Sequence, residues 1–309
     1  MLLSAGLSTL AQLALASLAF SQHLNKPAAW PNLDHLRDTL NSLPGATYKI
    51  DPWVNGYISE GCRDRAMLGK KDPTKFQSYT VYMGDCNIPW TVCQEEGAEP
   101  SIEKLVDTLA RVPIGMRQYI GDIVHFSGGG GGSAWKIPCI VHVSGNSAQS
   151  VGVWLHEASH CVDGANGMGL KSRDPSWLDA YNLDTHVADR YAQVSHAENF
   201  AQYASLVIYD RFTNRKLQWH PQYMQVVWQI RRIAAAADSF VGNWMFDYSG
   251  KRVCTFRPEA SPVVNPATGA IMSRRSYITP RNTGITILTP SEGQGDVPIS
   301  NCTLKEGSF

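Results

Sequence analysis

Two histidines four residues apart, with a glutamate directly after the first, stand in the stretch Val153-Trp-Leu-His-Glu-Ala-Ser-His-Cys-Val-Asp-Gly164. On a helix, residues i and i+4 share a face, so His156 and His160 can aim two imidazole nitrogens at one point about 2 Å from a zinc ion. Glu157 lies one residue round from the first donor, where a carboxylate leans over a metal-bound water instead of binding the metal. Hydrolysis by a zinc-activated water needs such a base. A helix with two hydrogen-bonded histidines is the plainer reading. A third donor decides between them, because a catalytic zinc takes three protein ligands and keeps one open position.

Downstream, Asp163, Asp179, His186, Asp189, His196 and Glu198 are the candidates for that donor. An HExxHxxGxxH continuation fails, because Asp163 and Asn166 stand where it requires glycine and histidine, and no GTxDxxYG signature follows. What remains is a carboxylate on a separate helix, and Glu198 lies 38 residues after His160 among apolar Phe200, Ala201 and Ala204. Tyr191 precedes Glu198 by seven residues. On one continuous helix that is about two turns, which places a phenol on the ligand's face, able to donate to the oxyanion of a tetrahedral intermediate. Asp163 is a candidate to orient a ligand histidine or simply to cap the helix, and Cys161 points away from the metal face toward burial or a disulfide.

The run from His186 to Gln202 resembles the third-ligand segment of the peptidases related to the anthrax lethal factor catalytic domain. That segment pairs Tyr-Ala with a later Glu-x-Phe-Ala and follows an HExxH helix with an Asp three residues past its second His. Here the matching residues are Tyr191-Ala192, Glu198, Phe200-Ala201 and Asp163. Ser159 and Gln202 depart from the pattern, the latter removing a carboxylate one turn beyond Glu198. The resemblance covers residues 154–205 and implies a gluzincin-type zinc endopeptidase. Its fold would be α+β and zincin-like, with a small mixed sheet over the active-site helix and a helical lower lobe supplying the third ligand. It implies one catalytic Zn2+ on His156, His160 and Glu198, Glu157 and Tyr191 as catalytic groups, and a peptide or protein substrate. The alternative is a secreted zincin-fold binding or effector protein without peptidase turnover.

Several elements must position these residues. The spacing predicts a helix from Gly152 to about Asp163 ending at Gly164, a second from about Thr185 to Phe212, and a third from Pro221 to near Phe240. Ile102 to Ile120 has helical spacing broken at Pro113, and Lys136–Val143 is strand-like. Residues 22 to about 125 form an irregular, disulfide-pinned part of a catalytic domain that runs to 250. Residues 251–309 form a loop-rich and β-rich extension. Gly128 to Gly132 lack a following Gly-Lys-Ser/Thr, so they form a mobile surface loop and not a phosphate cradle.

The chain has 309 residues with 27 basic and 27 acidic side chains and no Lys/Arg-rich run. Nothing there marks nucleic-acid binding or an anionic-membrane surface. Residues 1–21 have the shape of a signal peptide, which implies a secreted, extracellular protein without a membrane partner once the signal is removed. Seven cysteines in an exported chain suggest three disulfides and one leftover thiol. Pairing among Cys62, Cys86 and Cys93, and of Cys254 with Cys302, is the expectation. Asn301-Cys-Thr303 is the one glycosylation sequon.

Overall fold

Alternating burial along the strands builds a sheet with helices on both faces. The computed structural model describes residues 23–135, 138–239, 245–249 and 251–272. Its strands are β1 (Ala28–Trp30), β2 (Tyr48–Pro52), β3 (Ile58–Ser59), β4 (Phe76–Met83), β5 (Cys86–Glu95), β6 (Ile120–Phe126), β7 (Gly130–Trp135), β8 (Cys139–Gly145), β9 (Val187–Asp189) and β10 (Val263–Val264). The helices are α1 (Arg37–Asn41), α2 (Glu60–Leu68), α3 (Ile102–Ala110), α4 (Ile114–Arg117), α5 (Val151–Ala165), α6 (Pro175–Leu183), α7 (His196–Phe212) and α8 (Val227–Ser239). The chain is thus mixed α+β.

Six strands form one mixed sheet in the order β2-β4-β5-β6-β8-β7. β6 is parallel to both neighbours, β5 and β8, and each of its seven residues is buried, as a strand covered on both faces requires. Side chains alternate between two cores. Ile123, Val141 and Val143 join the large core with Trp154 and Leu155 of α5, whereas Val124 and Ile140 join Cys62 and Ala66 of α2 on the opposite face. A short parallel pair, β1 with β9, lies just upstream of α7, and β3 pairs with β10.

Differences from the sequence reading have local causes. α5 runs through Gly164 and ends at Asn166, whose left-handed backbone (φ 54°, ψ 38°) serves as the cap. The stretch expected as one helix from Thr185 is broken into β9, a 3-10 turn at Tyr191–Val194 and α7, because extended Ser195 caps a new helix by accepting from the Glu198 N–H. α8 begins at Val227 after a separate 3-10 turn at Tyr223–Gln225, leaving Pro221 outside the helix. Pro113 does break the helical run, standing between α3 and α4. The second half of the glycine run is no loop, since Gly130 to Gly132 pair with Gly145 to Val143 as part of edge strand β7.

Disulfides join Cys62 to Cys93, Cys86 to Cys254 and Cys139 to Cys161. Cys254 therefore bonds to the sheet and not to Cys302, which lies outside the described residues together with the expected signal segment 1–21, Asn301 and most of the β-rich extension expected at 251–309. No helix among the described residues is long and apolar enough to cross a membrane.

Candidate metal centre

Helix α5 holds its two histidines in a dry interior. Every residue from Val151 to Val162 is buried, and Ser150 starts the helix by accepting from the Val153 N–H. His156 and His160 emerge on one face with their Nε2 atoms 3.0 Å apart. Glu198 reaches them from α7, its Oε2 2.9 Å from His156 Nε2 and 3.3 Å from His160 Nε2. Three ligands at about 2 Å from a tetrahedral ion lie about 3.3 Å apart, so the triangle fits that geometry. Among the described residues this is the one group of three or more His, Cys, Asp or Glu side chains with donor atoms converged for a metal.

The position of Glu198 has a local explanation. Ser195 and Glu198 stand as N-cap and third helical residue, the spacing of a capping box, in which the glutamate would turn back to the N-cap amide. Here the serine half forms, with Ser195 Oγ accepting from the Glu198 N–H at 3.2 Å, while the carboxylate is aimed at the histidines. Burial alone would raise the Glu198 carboxyl. The His160 and His156 rings outweigh it and hold the group below the usual carboxylate range.

A chain of hydrogen bonds sets the His156 tautomer. Asp189 Oδ2 accepts from Gln202 Nε2 at 2.8 Å, which orients the amide so that its Oε1 faces His156 Nδ1 at 3.3 Å. A carboxylate only accepts, so the amide nitrogen must face Asp189 and the amide oxygen takes the imidazole N–H. The Nε2 of a neutral His156 is then a lone pair, directed toward Glu198 and His160. Converging lone pairs and a buried carboxylate call for a cation between them, and the residues fit a zinc ion on that ground. Burial pushes the Asp189 carboxyl up to about 6, against bonds from the Ala192 N–H and Gln202. As a departure from the resembled pattern, Gln202 put any supporting role of its own position in doubt, though not the ligands. Instead it carries the contact from Asp189 to His156.

Glu157 and Tyr191 both lie beside this cluster. A Cβ at Gly132 on β7 would meet Glu157 Oε1 at 2.7 Å, so the glycine run brings bare backbone against the carboxylate. Tyr191 reaches the site from the 3-10 turn before α7, its ring centroid 5.4 Å from that of His156. The two-turn spacing on one helix expected for Tyr191 and Glu198 is therefore not how they meet. Across the sheet, Arg65 donates to Ser133 Oγ at 3.0 Å and faces His142 Nδ1 at 2.5 Å. Burial lowers the pKa of Arg65, and Glu157 opposes the shift. Nothing in the local sequence around Arg65 signalled that link through the sheet.

The other candidates are elsewhere. Asp163 accepts from the Ser172 N–H at 2.8 Å and so ties down the turn after α5. Asp179 is exposed on α6, His186 contacts the Thr185 hydroxyl, and the ring of His196 packs edge-on against Tyr181. Cys161, buried beside His160, bonds to Cys139 and so fastens α5 to the start of β8.

A family model described as "Conidiation-specific protein Con-13" matches residues 31–246. Conidiation-specific protein 13 of Neurospora crassa is 31% identical over 176 residues, which make up 55% of this chain and 52% of that protein, so the chain spans about half the relative's length. No solved structure matches. These findings overturn the assignment to the lethal factor peptidase group, and with it the reading as a zinc metallopeptidase. The residues behind that resemblance lie on two short segments within residues 154–205, and such short motifs can recur on unrelated folds. The Con-13 match extends instead from just before α1 to just after α8, and this chain belongs to the conidiation-specific protein Con-13 family.

Proposed function

We propose that this protein binds a single zinc ion on His156, His160 and Glu198. The observation that carries the reading is the meeting of three donor atoms, 2.9 to 3.3 Å apart, inside a closed interior where His156 Nδ1 is already engaged. Two imidazoles and a carboxylate suit zinc among the common divalent ions, and three protein donors leave one position for water or an incoming small ligand. Glu157 and Tyr191 are the side chains assigned to hold that water or ligand. The scaffold inferred with the site is zincin-like: the histidine helix packs beneath a mixed sheet, an antiparallel edge strand lies against Glu157, and a second helix supplies the third donor. Export of the chain is part of the same reading, supported by three disulfides. The name of the Neurospora crassa relative refers to conidiation, and we place this metal-binding protein in that developmental setting. Peptide hydrolysis forms no part of the proposal.

The test is metal analysis of the purified protein after zinc loading and desalting. One zinc per chain is expected in the wild type and in an Asp179→Asn control. Less than a tenth of that is expected in His160→Ala and Glu198→Ala. A wild type that retains no zinc, or ligand variants that retain it in full, would refute the assignment.

A further inference from the structure

A cavity of about 300 Å3 opens beside the metal helix, and almost all of its lining is apolar. One wall is a stripe on the last turns of α5, formed by His160, Cys161, Gly164 and Ala165. The Cys139–Cys161 bridge also lines it, and Tyr119 with Phe256 and Pro258 supply a second wall. We propose that this cavity binds a small molecule with a flat apolar body of one or two rings and a neutral or cationic outer end.

Three observations support that occupant. The first is size and lining, because small-molecule sites start near 300 Å3 and combine apolar walls with a few polar groups. The second is that both walls are held before any ligand arrives. Cys254 is bonded to Cys86 on the sheet, and buried Arg257, between the two wall residues Phe256 and Pro258, donates to the carbonyls of Ile120 and Pro89 and lies 4.0 Å over the Trp90 ring. Tyr119 donates to the Gly167 carbonyl at 3.0 Å, and a Cβ at Gly167 would stand 2.6 Å from its ring, so glycine there lets the tyrosine lie flat against the helix end. Rigid walls that still leave Phe256 49% exposed at the rim keep an apolar face in water for no packing benefit. The third is charge. Among the described residues, Glu259, at the exposed mouth, is the one acidic side chain in the lining, and no lysine or arginine lines the cavity to receive an anion. The aromatic pair of Tyr119 and Phe256, with ring centroids 5.9 Å apart, offers π faces suited to a ring or a cation.

The inference stands apart from the zinc proposal, although His160 belongs to both sites. A matched pair of fluorescent probes, 2-(1-naphthyl)ethylamine and 3-(1-naphthyl)propionate, tests it on the full chain, with zinc and after chelation. The amine is expected to bind saturably, one per chain, in both conditions and about three-fold more tightly than the acid, the scale of one exposed ion pair. Ala165→Trp fills the cavity from an exposed helix position and is expected to weaken the amine at least ten-fold without altering the melting temperature. Glu259→Gln is expected to bring the two probes within two-fold of each other while binding persists. Absence of saturable binding, equal affinity in Ala165→Trp, or tighter binding of the acid would overturn the proposal. Binding that vanishes on chelation would transfer the site to the metal and equally refute it.

Discussion

Gln202 offers a sharp test of the proposed metal centre, because its amide is assigned one task toward His156 and another toward Asp189. Replacing it with leucine keeps the volume and removes both bonds. In the metal-free protein the His156 Nδ1–H and the Asp189 Oδ2 would each lose a buried partner, at about 1–3 kcal/mol apiece, so a loss of about 2–6 kcal/mol in unfolding free energy is expected. In the zinc-bound protein, His156 would also lose the contact that fixes which nitrogen faces the ion. Removing such outer partners of ligand histidines weakens metal binding about 10–100-fold. Urea denaturation of the chelated protein reads the first quantity, and competition against a chromophoric chelator reads the second. Gln202→Glu completes the set. It restores an acceptor for His156 Nδ1 but places a carboxylate against Asp189, so zinc affinity should recover to within ten-fold of wild type while stability stays low near neutral pH. If Gln202→Leu lowers stability but binds zinc as tightly as wild type, the amide is only a packing group and the proposed chain from Asp189 to the metal is wrong.

Three further outcomes follow from the same contacts. Gly132→Val should cost about 1–3 kcal/mol of stability, as overpacking does, because its Cβ meets Glu157 Oε1 at 2.7 Å and Val153 Cγ1 at 3.1 Å; unchanged urea midpoints would show that β7 does not press on α5. Replacing Cys139 and Cys161 together by alanine opens a crosslink of sequence separation 22 and should lower stability by about 3 kcal/mol in urea unfolding, while a loss under 1 kcal/mol would mean the bridge constrains little. His125 is held neutral: burial lowers its pKa from 6.5 to about 4, while Nδ1 faces the Gln94 amide at 3.1 Å and Nε2 the Glu99 carbonyl at 3.2 Å. The unfolded chain therefore binds more protons between those values, so this contribution is intact above pH 6.5 and is lost as pH falls toward 4, with a ceiling of about 3 kcal/mol. His125→Gln should show a shallower decline in stability than wild type across that window, and parallel curves would reject the assignment.

What could be read from the sequence was whatever a single helix fixes. His156 and His160 share a face because 3.6 residues make a turn, and Glu198 was reachable because its apolar neighbours set a carboxylate inside a buried segment. Tyr191 was found for a reason that failed, since the chain between it and Glu198 is a turn and a capped helix start instead of a continuous helix. The broad α+β class was legible too, from short β-like runs beside helical periodicities. The glycine run was misread because β7 has no side-chain pattern of its own; its extended form comes from hydrogen bonding to β8, a non-local partner. The pairing of Cys254 with Cys86 across 168 residues was invisible for the same reason, there being no local rule for it.

The resemblance failed for a related reason. It rested on a few positions in two short segments, several of them ones that metal chemistry would select on any scaffold, and such positions can be shared without descent. The zinc proposal rests instead on the geometry of the site itself. Glu198 stands where a capping-box glutamate would ordinarily turn back to its helix, yet its carboxylate is fully buried and lies 2.9 Å from a histidine nitrogen. Stability alone gives no reason for that choice. An exposed glutamate at the third helical position would complete the cap, whereas an inward one must be desolvated and then compensated. His156 cannot donate to it as a neutral ring, because its one proton goes to Gln202. A cation shared by all three donors satisfies each of them, and that is the ground of the zinc proposal.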